Sequence, residues 1–280
     1  MTLRIATLFI RHGVEKYTDS LEALLEQQAR SLAGTEREVL VIDNALPETH
    51  REALQPGVTL IGGANTHWEF SAWDSGLAHY GAGLRRFDLV QLVTSAYREL
   101  YNDYIPLCDT ALLTALRGRS LALGHIDQYG APVTLMGRRS QSWIRTSYLF
   151  LPPAELMLLG SLVSLRDPAP FFTDDPANPF RDDAPLDREY QQNILGWLTG
   201  AGTGQGTAWH SRFDLTAETL PRFRAKTMAI LNEHALTIRL RAQGCATLDP
   251  TWAARQLRAG TPLAGRALPH WQEQLARRFG

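Results

Sequence analysis

The strongest constraint on this chain is an alternation at its start. Leu3 to Ile10 reads LRIATLFI, an apolar and β-branched run. Tyr17 to Leu32 then places Leu21, Leu24, Leu25, Gln28 and Leu32 at spacings of three and four, with Asp19 or Ser20 as an N-cap. Glu38 to Ile42, EVLVI, is a second apolar run that stops at Asp43-Asn44. A strand with no polar face must be covered on both sides. A strand, a helix and a second such strand in succession predict a right-handed parallel unit.

The rhythm continues through the first half. Val58 to Ile61, Leu89 to Val93, Ser120 to Leu123 and Ser142 to Phe150 read as strands. Phe70 to Tyr80 and Asp109 to Arg117 read as helices. After Phe150 the pattern turns helical, with Pro153 to Leu165, Leu186 to Leu198, Phe223 to Arg241 and the tail from Thr251. Between them, Asp167 to Asp187 is rich in Pro and Asp, and Gly200 to Gly206 reads as a flexible loop. Asp174-Asp175 and Asp182-Asp183 read as solvated charges, and Lys226, Glu233 and His234 as surface groups of a long helix. The expected organisation is an α/β half over 1–150 and a mostly helical half over 151–280, within one continuous domain. In such sheets ligands lie beyond the carboxyl ends of the strands. Those ends are Arg11-His12, Asp43-Asn44, Gly62 to Asn65 and Thr94 to Arg98.

Composition narrows the class. The 280 residues carry 28 basic and 29 acidic side chains, a net charge of −1. That balance argues against nucleic-acid binding by overall charge. Two cysteines, Cys108 and Cys245, imply no disulfide framework and fit a reducing, cytoplasmic setting. The opening apolar run is too short to span a membrane and lacks a small-residue cleavage site.

Three segments carry a resemblance. They are Val39-Leu40-Val41-Ile42-Asp43-Asn44, the stretch from Gly63 through Asn65, Trp68, Trp73 and Asp74 to Leu77, and Phe87 to Ala96. Their succession resembles the nucleotide-sugar half of GT-A glycosyltransferases, of the family-two-like and rhamnan-synthesis-type group. Weaker echoes follow at Trp143 to Ser147, Asp187 to Tyr190 and Ile194 to Leu198. The resemblance implies a GT-A, Rossmann-like, mostly parallel sheet flanked by helices, with a helical acceptor-side part. It implies transfer of a sugar, with inversion, from a nucleotide-sugar donor to a glycan or lipid-linked glycan acceptor in surface polysaccharide assembly. Asp43, Asn65, Asp74, Thr94, Ser95, Arg98 and Arg145 would face the donor. Asp187 and Glu189 would supply the general base that takes the acceptor proton. Trp68 and Trp73 could stack on a base or sugar, or belong to the core.

The chain departs from that family at one place. Where an Asp-x-Asp pair would hold Mg or Mn on the diphosphate, it reads Thr94-Ser95-Ala96-Tyr97-Arg98. No carboxylate stands there, and a hard cation wants oxygen ligands. Arginines such as Arg98, Arg138, Arg139 or Arg145 could screen the diphosphate instead. Glu99 or Asp103 could supply a displaced metal ligand. Two other readings stay open: a nucleotidyltransferase on a similar sheet, and a non-catalytic nucleotide- or glycan-binding module. The tail from Thr251 is basic, with Arg255, Arg258, Arg266, Arg277 and Arg278. It either meets the inner face of an anionic membrane as a peripheral contact or packs on the body by its apolar side.

Overall fold

The computed structural model describes residues 2–99, 102–200, 212–261, 263 and 268–276. The chain divides into two compact units. The first holds Met1–Asp127, Ile144–Leu162 and Arg239–Gly280; the second holds Gln128–Trp143 and Val163–Ile238. The partition is interleaved, because the chain passes from one unit to the other more than once.

Among the described residues the sheet has eight strands in the order β3-β4-β2-β1-β5-β7-β6-β8. These are β1 (Arg4–Arg11), β2 (Glu36–Asp43), β3 (Arg51–Gln55), β4 (Val58–Gly62), β5 (Leu89–Thr94), β6 (Leu121–Leu135), β7 (Arg138–Leu151) and β8 (Ala246–Leu248). The helices are α1 (Ser20–Ser31), α2 (Trp68–Tyr80), α3 (Thr110–Leu116), α4 (Pro153–Leu159), α5 (Arg188–Thr199), α6 (Leu220–Ala242), α7 (Pro250–Arg258) and α8 (Trp271–Ala276). The expected architecture, a mostly parallel sheet flanked by helices, is what the chain adopts. β4, β2, β1 and β5 are parallel neighbours, while β3 and β7 run against them.

In the first unit, α1, α3 and α7 bury Leu24, Leu112, Leu113 and Trp252 with Ile5, Phe9, Val41, Val93 and Phe150 of the strands. Gln28 on the stripe of α1 is buried, and the structure gives the reason. Its amide donates to Thr7 Oγ1 at 2.9 Å and to Gln91 Oε1 at 2.7 Å. Thr7 also donates to Gln91 at 3.0 Å. Buried polar groups must find partners, so this trio fixes the helix against β1 and β5 at one register. On the other helix, Gly76 of α2 lets the chain approach closely: a Cβ there would come within 2.6 Å of Ile42.

Several elements differ from expectation for local reasons. β3 is exposed along its whole length and carries no apolar pattern, so the sequence hid it. The two short strands read at 120–123 and 142–150 are halves of one long hairpin, because Gly130 and Pro132 do not end β6. Its turn has positive φ at Met136 and Gly137, as a tight hairpin requires. The helix from Pro153 stops at Leu159, since Gly160 takes a left-handed φ of 70°. Within the mostly helical C-terminal part, β8 returns to pair with β6. Trp252 and Leu263 are buried in the main core, and Trp271 and Leu275 pack with Ile126. Of the expected glycine-rich loop, residues 201–206 lie outside the described residues, as do Arg266, Arg277 and Arg278 of the tail.

The second unit has its own core, built from Tyr129, Trp143, Phe171, Phe180, Tyr190, Phe223 and Leu231. The Pro- and Asp-rich segment is anchored rather than loose. Phe172 bridges to Phe180, and Arg181 pairs with Asp183 through two contacts of 2.8 and 3.0 Å. Asp174 receives Arg224 at 2.6 Å. His234 is not a surface group: it is 4% exposed, stacks on Tyr190 and lies 2.8 Å from the Tyr129 hydroxyl.

Burial pushes the His234 imidazole down to about 3. In an unfolded chain it titrates near about 6.5. Between those values the unfolded chain binds a proton that the folded chain refuses. Stability therefore falls as pH drops below about 6.5, by about 2–3 kcal/mol on reaching pH 4.5. Denaturant unfolding at both pH values should show a smaller loss in His234→Gln than in the unsubstituted chain. Equal losses would contradict a buried neutral imidazole.

Candidate functional site

The strand register of the first unit lines up one edge. Arg11 stands opposite Asp43, Asp43 opposite Gly62, and Ile10 opposite Thr94. Four parallel strands thus end together, and each hands its loop to the same side. This is where open α/β sheets place ligands.

Asp43 organises that edge. It is 3% exposed. Its Oδ1 accepts the Gly13 N–H at 2.8 Å and the Ala45 N–H at 2.9 Å, and its Oδ2 accepts Arg11 Nε at 2.7 Å. Burial alone would raise its pKa. The two backbone donors and the Arg11 guanidinium outweigh burial and hold the carboxyl below the usual range. The residue ties the loop after β1 to the end of β2. The Asn44 amide then donates to Asn65 Oδ1 at 3.3 Å and to the Trp68 carbonyl at 3.2 Å. Gly62 and Gly63 allow the tight packing beneath: a Cβ on Gly62 would lie 1.8 Å from the Pro47 carbonyl oxygen, and one on Gly63 would lie 2.4 Å from Asn44 Oδ1.

The end of β5 offers different chemistry. Thr94 and Ser95 bring hydroxyl groups, and the Ser95 N–H bonds the Ile10 carbonyl at 2.8 Å. Tyr97 turns inward and stacks on Tyr148. Arg98 turns outward and reaches Asp19 Oδ2 at 2.8 Å. Asp19 occupies the N-cap position of α1 without making a side-chain cap bond. Arg145, on β7, pairs with Asp127 of β6, and His125 lies 3.8 Å from the same carboxylate. The sequence reading missed Asp127 and His125. Their signal was the i, i+2 alternation of a strand, obscured by the neighbouring glycines.

The remaining candidates lie elsewhere. Asp74, in α2, accepts Ser161 Oγ at 2.5 Å and the Leu162 N–H at 2.6 Å, and so anchors the turn after α4. Asp187 and Glu189 belong to the second unit. Asp187 caps α5: Oδ1 accepts the Tyr190 N–H at 2.9 Å, and Oδ2 accepts the Thr134 N–H. Glu189 is exposed in the first helical turn and takes no part in the cap. The edge of the first unit therefore brings together Asp43, Asn65, Thr94, Ser95 and Arg98, with Arg145 on the strand next to β5.

The donor set does not suit a divalent cation. Among the described residues no three His, Cys, Asp or Glu side chains gather to hold a metal. Thr94 and Ser95 at the end of β5 supply hydroxyls, Asp19 and Asp127 are engaged by Arg98 and Arg145, and Glu99 and Asp103, the carboxylates that follow β5, join no metal-holding group. Magnesium or manganese would need several oxygen ligands, usually carboxylates.

Asp43→Asn keeps an acceptor oxygen for Gly13 and Ala45 but sets an amide against Arg11. With side-chain exposures of 16% and 4%, the Arg11–Asp43 pair is sheltered enough that losing one charge should cost about 2–4 kcal/mol at pH 7. The folded carboxyl is depressed, so its contribution is complete above the unfolded value of about 3.9 and disappears as pH falls. Urea unfolding should show the gap between Asp43→Asn and the unsubstituted chain closing below pH 4. A gap no smaller at pH 2 than at pH 7 would contradict the ion pair.

No protein-family model matches this chain, and no curated protein matches it. Among solved structures it is similar to the mannosyltransferase PcManGT from Pyrobaculum calidifontis, solved in complex with GDP-Man and Mn2+. The likeness has a TM-score of 0.35 and 16% identity, and it covers 100% of this chain and 86% of that one. At that level it carries no assignment.

Proposed function

We propose that this chain is a glycosyltransferase. It would move a sugar from a nucleotide-sugar donor, with inversion, onto a hydroxyl of a glycan or lipid-linked glycan in surface polysaccharide assembly. One observation carries the reading. The segments that resemble GT-A enzymes supply the aligned polar edge of the sheet, from Asn65 through Asp43 to Thr94.

In this reading the edge divides its work. Asp43 holds the loop after β1 in place, and Asn65 offers hydrogen bonds to the nucleoside. Thr94, Ser95, Arg98 and Arg145 face the diphosphate. The leaving group gathers negative charge as the glycosidic bond breaks, and guanidinium groups stabilise it. Arg98 suits this exchange. Its pair with Asp19 is 47% and 67% exposed and so worth little in water. Trading that carboxylate for a phosphate is therefore easy. Of the two acids expected to supply the general base, Glu189 is the one proposed, because it takes no part in the helix cap. Asp187 is assigned to the helix cap, because both of its oxygens are occupied.

A non-catalytic nucleotide-binding module is the second reading. The missing carboxylates at Thr94-Ser95-Ala96 favour it. For membrane contact, α7 buries Trp252 and Ala253 and offers the charge of exposed Arg255 and Arg258. No described helix is long and apolar enough to cross a membrane.

Thermal shift against a panel of nucleoside diphosphates, with and without chelator, tests the donor. Stabilisation that survives chelation is expected; none with any nucleotide would end the reading. For the base, Glu189→Gln should lower turnover by about 100-fold or more at unchanged Tm. Asp187→Ala should cost about 1 kcal/mol of stability. Full turnover in Glu189→Gln would remove Glu189 from the chemistry, whereas an unsubstituted chain that binds nucleotide but turns over no donor would favour the binding-module reading.

A further inference from the structure

Two tryptophans follow the carboxyl end of β4, and the structure separates them. Trp73 is fully buried, meets Phe70 edge-on and donates its indole N–H to the Leu8 carbonyl at 3.2 Å. It is a core residue. Trp68, at the start of α2, is 39% exposed.

The backbone of Trp68 is unusual. Its φ is +52°, and among the described non-glycine residues only Met136 is also positive. The left-handed region is unfavourable for a bulky L-residue. The surroundings nevertheless impose it. The Trp68 carbonyl accepts Asn44 Nδ2 at 3.2 Å, and beside it Ser71 Oγ donates to the Ala64 carbonyl at 2.7 Å and accepts the His67 N–H at 2.9 Å. Asn44 packs its Oδ1 where a Cβ on Gly63 would otherwise lie, at 2.4 Å. A strained turn held by this many contacts points to function, and here it presents a large aromatic face at the ligand edge. The amides of Asn44 and Asn65 flank it, bonded to one another at 3.3 Å.

We propose that Trp68 is the stacking platform for the heteroaromatic base of the nucleotide donor. This rests on the donor reading above and assigns the base to one end of the edge. An indole could equally stack on a sugar face, but the polar groups favour the base. The Asn65 amide, whose NH2 makes none of these bonds, can donate to the hydrogen-bonding edge of a nucleobase, whereas the hydroxyls and guanidinium suited to phosphate lie at the end of β5. From β4 to β5 there are three strand spacings, about 14 Å. That span is comparable with an extended nucleoside diphosphate lying across the strand ends.

The test compares ligands with and without a base. Binding of UDP, GDP and inorganic pyrophosphate would be measured by calorimetry on the full chain, with circular dichroism as a check of folding. In Trp68→Ala the nucleotides should weaken about 10- to 100-fold, the range found when a base loses its aromatic platform, and pyrophosphate should not change. Trp68→Phe should stay within about threefold for nucleotides but lose most of the nucleotide-induced quenching of tryptophan fluorescence. That second variant keeps a ring and decides the matter if Trp68→Ala does not fold. Unchanged nucleotide affinity in Trp68→Ala, an equal loss for pyrophosphate, or undiminished quenching in Trp68→Phe would overturn the proposal. An unsubstituted chain that binds no nucleotide would instead overturn the donor reading and the stacking role with it.

Discussion

The register of β1 against β2 sets everything at the candidate site. It puts Arg11 opposite Asp43, and the buried carboxylate then draws in the N–H groups of Gly13 and Ala45. A buried charge without partners is costly, so the loops must fold around Asp43 in one way. From that point the order spreads outward. Asn44 follows Asp43, reaches Asn65 and holds the Trp68 carbonyl. A slip of one residue would turn Asp43 to the other face of the sheet and leave Arg11 unpaired.

The arginine–aspartate pairs of the first unit differ in how easily they can change partners. Arg11–Asp43 is sheltered and reinforced by backbone donors, which makes it part of the scaffold. Arg145–Asp127 is partly sheltered on the long hairpin, and Arg98–Asp19 is open to water. Water screens the open pair most, so its guanidinium is the cheapest to redirect toward an anion.

Much of the fold was legible because apolar runs buried on both faces leave few alternatives. β1, β2, β4 and β5 fall where the hydropathy pattern puts them, and Gln28 lies on the buried stripe of α1 as its spacing implied, although its partners Thr7 and Gln91 did not show in the sequence. Elements without that pattern were hidden. β3 is exposed throughout, and β6 carries Gly130 and Pro132, which read as breaks although the hairpin runs through them. His234 looked like a surface group because a helix stripe of mixed polarity does not reveal that aromatic rings of the second unit close over it.

For this protein, the sequence by itself determined the α/β class and which strand ends carry polar groups. Those follow from local periodicity and from where apolar runs stop. Only the tertiary structure decided what the polar groups do. It occupied both oxygens of Asp187 with backbone donors, placed Asp74 beneath the turn after α4, and distinguished an exposed Trp68 from a buried Trp73. The physical reason is that a side chain's role depends on which distant donors and surfaces reach it. Hydrogen bonds across tens of residues, such as Asp74 to Leu162 or Arg98 to Asp19, leave no mark in local spacing.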